Sequence, residues 1–456
     1  MRPSCIVPTL VVLLLFGLAG LALPARAQSS GQTEEQRLAE VEKKLDAALA
    51  EIERLKLGEA AAPDTTPAAV SRHGMGPGAS RVYNVAKGPS LGGYGEMLMS
   101  SPDGQREDGT PSGQRPTADL LRAVFYVGHK FTPELLFNSE VEWEHAGVVD
   151  EAATEVDPAS GAGTTQLSGE ATVEFAYLDW QARPWLGVRA GKVLVPVGLV
   201  NEYHEPPVTI GARRPDTEQL LIPSTWAATG AGFYGETAAG LQWRAYLLEG
   251  LNARGFAPVT PIREGRQGGS QALFTHPALA ARADWKGTPG LVVGLSGYTG
   301  DSWQEARPVG VSLSARVTLT DVHATWAWRG LDLRGLWTQG TLSDAGALSD
   351  ALGFTGNERL GERFSGGYIE GAYDVAPLAW PGTQWSIEPY FRGETLDTQD
   401  HVPGGGENPS FQRDILTFGI AVLPHPNVVV KADRELRRNG GDDETSRWNV
   451  ALGWLF

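Results

Sequence analysis

The sequence predicts an all-β protein: a transmembrane antiparallel β-barrel of about 16 strands, preceded by a short N-terminal coiled-coil helix. Three observations carry this. From about Leu91 onward, apolar residues recur with period two in runs of roughly ten, the length a tilted strand needs to cross a bilayer, whereas strands of soluble sandwiches are nearer five or six. The connections between these runs alternate between tight turns and long polar loops. The chain ends in "RWNVALGWLF", which alternates Trp448, Val450, Leu452, Trp454 and Phe456 with Asn449, Ala451 and Gly453, although a chain terminus is ordinarily frayed and polar.

The N-terminus supplies a compartment before it supplies structure. Arg2 precedes an apolar run over 10–23, and Ala25-Arg26-Ala27 has the form of a cleavage site. Residues 1–27 therefore read as a secretory signal peptide, too short for a spanning helix of about 20 residues. Cys5, the single cysteine, falls inside it, so the mature chain is expected to carry neither a disulfide nor a thiolate metal site. Residues 28–57 contain a heptad seam of Leu38, Val41, Leu45, Ala48, Ile52 and Leu55. Such a seam suits a coiled coil, with a lone amphipathic helix as the alternative. Residues 58–88, rich in Gly, Pro and Ala, read as a flexible linker, leaving 89–456 for the barrel.

Within the barrel region the alternation is explicit. Phe137, Val141 and Trp143 interleave with Asn138, Glu140, Glu142 and Glu144; Leu121, Phe125 and Val127 with Arg122 and Tyr126; Leu416, Phe418 and Ile420 with Thr417 and Gly419. Arg183-Pro184, Pro289-Gly290 and Arg329-Gly330 mark tight turns, while 101–117, 147–168, 194–225 and 251–275 are long and polar. Sorting of short and long connections to opposite ends belongs to outer-membrane barrels. In hydrocarbon only a closed sheet pairs every backbone amide, so the quoted tail is expected to seal against the opening strand at 91–100. A terminal Phe also resembles the signal by which outer-membrane barrels are recognised for assembly.

Charge narrows the function. The chain carries 54 Asp and Glu against 38 Lys and Arg, a balance that argues against nucleic acid as a partner. A barrel of this size encloses a lumen, so inward positions should be polar. Candidate pore-wall residues are Arg122, Glu140, Glu142, Glu144, Arg189, Lys192, Arg244, Arg282, Arg334 and Arg392; they either set a field across the pore or brace the wall as ion pairs. The loop at 196–226 carries Leu220, Leu221 and Ile222 together, which suits packing on the inner wall. Its polar members Glu202, His204, Glu205, Arg213, Arg214, Asp216 and Glu218 would then form a constriction. His204 with Glu202 and Glu205 lacks a metal-ligand spacing, and no Ser–His arrangement suggests a hydrolase. Neither a metal, a cofactor nor enzymatic activity is expected.

The stretch "VEFAYLDWQARPWLGVRAGKVLVPVGLVNE" (173–202) resembles the phosphate-selective porin O and P family in its Tyr177-Leu178 strand end, its Gly191-Lys192 strand and the Pro196-Val197-Gly198 turn into the loop. The resemblance implies a sixteen-stranded homotrimeric channel in the outer membrane, in some members with an N-terminal coiled coil. Phosphate selectivity does not carry over, because the chain is acidic and its clearest inward row is glutamate, although Lys192, Arg213 and Arg214 could form a local anion site. The expectation is a porin passing small hydrophilic solutes or ions. The alternative is a structural barrel with little conductance, whose periplasmic segment 33–57 contacts the cell wall or a periplasmic partner.

Overall fold

A computed structural model describes residues 71–104, 111, 113–147, 169–183, 185–304, 312–441 and 443–456. The expected signal peptide, the heptad segment and linker residues 58–70 lie outside the described residues. Sixteen strands run in chain order: β1 (Gly88–Pro102), β2 (Thr117–Lys130), β3 (Leu135–Glu144), β4 (Glu170–Arg183), β5 (Leu186–Leu194), β6 (Ala227–Glu236), β7 (Leu241–Leu248) and β8 (Ala278–Thr288) form the first half. The second half is β9 (Leu291–Asp301), β10 (Arg316–Trp328), β11 (Leu331–Leu342), β12 (Arg363–Tyr373), β13 (Ser386–His401), β14 (Gln412–His425), β15 (Val428–Asn439) and β16 (Glu444–Leu455). Each pairs antiparallel with its sequence neighbours, and β1 pairs with β16 to close the barrel.

Closure is tight because the sequence provides for it. Gly95 sits opposite Trp454, and a Cβ at Gly95 would come within 2.1 Å of the indole, so only glycine lets the strands meet there. Phe456 extends the seam beyond β16: its N–H donates to the Gly93 carbonyl (2.8 Å) and its carbonyl accepts from the Gly93 N–H (3.0 Å). Its ring meets Phe125 edge-on.

The alternation sorts side chains as the sequence reading expected. On β16, Trp448, Val450 and Leu452 are 55%, 46% and 37% exposed, while Asn449 and Ala451 are buried. Leu178, Phe233, Leu279, Leu295, Phe391, Leu416 and Phe418 extend this exposed apolar surface around the barrel. No aqueous surface presents such a continuous belt; it suits lipid. Trp180, Trp185, Trp285, Trp328, Trp380 and Trp385 are all exposed near the tight-turn ends. They form an interfacial aromatic girdle, which accounts for much of the tryptophan content. At the two-residue turn Arg329-Gly330 both residues have positive φ (49° and 83°), the hairpin geometry that matches strand twist.

Three expectations need correction. Short and long connections do not alternate strictly: β12 and β13 are joined by 374–385 on the tight-turn side, and β15 and β16 by only 440–443 on the long-loop side. The described part of the expected flexible linker is instead packed inside the barrel, with Met75 and Val82 each 1% exposed. The inward face is also not uniformly polar. Tyr94, Tyr126, Phe175, Tyr177 and Tyr246 join Met75, Val82, Leu221 and Ile222 in one apolar cluster, because inserted segments cover the wall and exclude water from it.

Deleting Phe456 removes two hydrogen bonds and an aromatic contact at the seam that closes the barrel. The folded, heat-modifiable fraction on cold SDS gels is expected to fall severalfold, with the conductance of surviving barrels unchanged.

Candidate functional site: the occupied lumen

Two segments enter the lumen. The first is the loop between β5 and β6. Its neck is clamped by Asn201, whose amide donates to the carbonyls of Val195 (2.7 Å) and Trp226 (2.9 Å) and accepts from the Trp226 N–H (2.6 Å). Gly198, at φ +81°, starts the inward turn. Glu202 then receives Arg244 of β7 at 2.8 Å and lies 3.7 Å from Arg282 of β8. Arg282 also donates to the Gly198 carbonyl. Asp284 ties the cluster together, holding Arg244 (2.9 Å), Arg282 (2.8 Å) and His323 (2.9 Å).

The loop then crosses to the opposite wall. Lys431 of β15 donates to the carbonyls of Pro206 (2.9 Å) and Gly211 (3.1 Å), and Asp433 accepts from the Ala212 N–H (3.0 Å). Asp216 pairs with Arg437. A π-helical turn, Thr217–Leu221, places Leu221 against β12 and β13. The Thr217 N–H donates to Glu394 of β13 (2.5 Å), and the Tyr368 hydroxyl of β12 donates to Glu218 (2.5 Å). Buried charges of this kind are costly to unpair, about 3–5 kcal/mol for loss of one partner, so the loop is fastened at both walls.

The second segment is 71–85, lodged beneath the loop at the tight-turn end against β1–β6. Glu205 Oε1 accepts from the N–H groups of Gly78 (2.9 Å) and Ala79 (3.2 Å) and from the Tyr126 hydroxyl (3.1 Å). Asn138 donates to the Ala79 carbonyl (2.9 Å), Lys130 to the Tyr83 carbonyl (3.2 Å) and Arg189 to the His73 carbonyl (3.2 Å). The Tyr83 hydroxyl donates to Asp179 (2.8 Å), which also holds Arg189 at 3.1 Å. Glycine makes this fit feasible: Cβ atoms at Gly74, Gly76 and Gly78 would lie 2.7, 2.4 and 2.7 Å from Glu202, Glu205 and Leu455.

The sequence-derived candidates are therefore largely brought together, as braces. Arg122 lies 3.4–3.5 Å from Glu96, Glu142 and Glu144; Arg334 pairs with Asp332 and Arg392 with Glu370. His204 is buried with Nε2 3.2 Å from Glu140, Arg214 reaches the His204 carbonyl, and Arg213 lies 4.0 Å from Glu435. Lys192 is a correction: the parity that buries Arg189 and Val193 turns it to the outer face, where Nζ donates to the Val173 carbonyl (2.6 Å). It therefore cannot join Arg213 and Arg214 in an anion site. Asp179, Asp284, His323, Lys431 and Asp433 escaped the sequence reading. Inward strand parity marks such residues as lumenal, but several of their partners lie far along the chain, 39 positions between Asp284 and His323 and 225 between Lys431 and Pro206. Among the described residues, no group of three or more His, Cys, Asp or Glu is arranged to hold a metal ion.

Among the described residues, two cavities flank the loop. One of about 290 Å³ lies at the tight-turn end against β8–β13. The other, about 140 Å³, lies at the long-loop end, where Arg214, Arg263 and Arg266 face Glu142, Glu170 and Glu174.

Burial sets the ionisation of the loop. It lowers His204 to about 4, helped by Arg214, and raises Glu218 to about 7 against the bonds from Tyr368 and Val200. Burial also works against the Asp216 carboxylate, yet Arg437 beside it holds that group below its ordinary range. Burial raises Glu205 to about 7, against lowering by His204 and the Ala79 N–H.

A closed sixteen-stranded antiparallel barrel with a lipid-facing belt and an in-folded loop defines a transmembrane β-barrel. The chain is 36% identical over 395 residues to an uncharacterized protein of Aquifex aeolicus (strain VF5), with 84% of this chain and 83% of that one covered; it belongs to the same family. No family model matches the sequence. Similar solved structures include the anion-selective porin from Comamonas acidovorans (TM-score 0.48, 10% identity, covering 81% of this chain and 99% of that one). Others are Salmonella typhi OmpF in complex with daunomycin (0.48, 12%, 82% and 99%) and the outer membrane channel DcaP of Acinetobacter baumannii (0.48, 10%, 81% and 97%).

Glu205 links pH to the inserted segment. Its folded pKa lies above the ordinary 4.5, so the fold favours the neutral form, and Oε2 has no hydrogen-bond partner among the described residues. The stability this group contributes is complete below about 4.5 and is lost as pH rises through about 7. Exchange protection of the Gly78 and Ala79 amides, corrected for intrinsic rates, should decline between pH 5 and 8. Glu205→Gln should flatten that dependence, and a flat wild-type profile would contradict the assignment.

Proposed function

We propose that the protein is an outer-membrane channel for small hydrophilic solutes or ions, with 196–226 as its constriction. One observation carries this reading: the loop is fastened to both walls by buried ion pairs and hydrogen bonds while cavities persist on either side of it. A purely structural barrel has no need to organise its interior around a cross-strut with space above and below. The constriction residues are Glu202, His204, Glu205, Arg213, Arg214, Asp216 and Glu218. Residues 71–85 narrow the β1–β6 side, so passage runs along the β8–β13 side.

A phosphate filter requires cations free to meet the ion. Arg244, Arg282 and Arg392 are instead committed to carboxylates, which favours a general channel over a phosphate-selective one. The functional unit is a homotrimer, with 33–57 as a periplasmic coiled coil.

Planar-bilayer recording of the purified protein should show discrete conductance steps; current no greater than leak would overturn the channel reading and favour the structural barrel. Deleting 71–85 should raise the unit conductance severalfold. Removing 33–57 should weaken the trimer in chemical cross-linking while leaving a heat-modifiable barrel.

A further inference from the structure

The cavity at the tight-turn end is lined unlike a water passage. Water gains nothing from apolar walls, yet the loop presents Leu199, Val200, Ile210 and Pro215 to this space, and the barrel adds Val292 and Ala327. Tyr203 and Tyr368 complete the same rim. Its volume of about 290 Å³ holds about ten waters at about 30 Å³ each and stands at the lower end of small-molecule sites, about 300–1,000 Å³.

The cations around it are not equivalent. Arg282, Arg334 and Arg392 are neutralised by Asp284, Asp332 and Glu370. Asp284 is in turn saturated by Arg244, Arg282 and His323. Lys286, two positions along β8 on the same inward face, lines the cavity, and its ammonium has no hydrogen-bond or ion-pair partner among the described residues. Arg213, also on the lining, lies 4.0 Å from Glu435; among the described residues the Lys286 ammonium is the lining cation without such a carboxylate, and an apolar chamber that holds it selects for a particular chemistry. A compact inorganic anion would lose hydration against the apolar wall without compensation. A neutral apolar solute would leave the ammonium unpaired. An anion with an apolar body satisfies both.

We infer that this cavity is a binding subsite for small organic carboxylates with an apolar body, the carboxylate meeting Lys286 and the body lying on Val200, Ile210 and Pro215. The subsite deepens the channel reading by naming a solute class. Binding itself does not require conduction, so the two ideas can fail separately.

The test is calorimetric titration of the detergent-solubilised full chain with benzoate, benzyl alcohol and inorganic phosphate, alongside bilayer recording with each present. Benzoate should bind at least tenfold more tightly than either of the others, a charge-assisted contact added to apolar burial. Lys286→Gln should weaken benzoate at least tenfold and leave benzyl alcohol unchanged. Ile210→Asn should weaken both organic probes. Cold-gel mobility of each variant confirms that the barrel is folded. No benzoate binding, phosphate binding as tight as benzoate, or unchanged benzoate affinity in folded Lys286→Gln would each overturn the subsite. Benzoate binding without conductance would sustain the subsite and sink the channel; conductance without benzoate binding would do the reverse.

Discussion

Everything in this molecule depends on closing the sheet. A strand edge in hydrocarbon leaves a row of N–H and C=O groups with no water to meet them, each costing several kcal/mol. The β1–β16 seam removes that edge. Where a bulky indole must fit into it, the chain places Gly95 opposite Trp454. Closure also creates the interior, because a barrel of sixteen strands is too wide for wall side chains alone to fill. The space so made is what the inserted segments occupy.

The inserted loop divides its work between adjacent residues. Glu202 fastens the loop to β7 and β8 through Arg244 and Arg282. Glu205, three positions on, turns towards β1–β3 and receives the backbone of the second inserted segment together with Tyr126. The loop is thus both a strut across the lumen and the floor on which residues 71–85 rest. Loss of the strut would leave the Gly78 and Ala79 amides without a carboxylate among the described residues, and the segment would then be held by its bonds to Asn138, Lys130, Asp179 and Arg189 of the wall.

Much of the wall was legible in the sequence, and the reason is local. Facing is decided by parity, so Trp448 and Val450 go out and Asn449 goes in whatever their neighbours are. The leucine cluster at 220–222 announced a packed loop because exposed loops do not carry such residues. Residues 71–85 were misread for an equally physical reason. Glycine spacing signals flexibility when nothing is known to be near, yet here Gly74, Gly76 and Gly78 are the positions where backbone passes within touching distance of buried side chains. Lys192 was misplaced because it was judged by composition and family likeness when strand parity would have turned it outward.

The sequence by itself determined the all-β barrel, the orientation of its strands, its sealing tail and the loop that turns inward, since period-two patterning and turn chemistry act over a few residues. Only the tertiary structure decided which charges neutralise one another. Asp284 lies close to Arg282 in sequence, but its other partners, Arg244 and His323, are each about 40 positions away. Coulomb attraction in a desolvated lumen depends on distance through space, and that distance exists only once the barrel has closed.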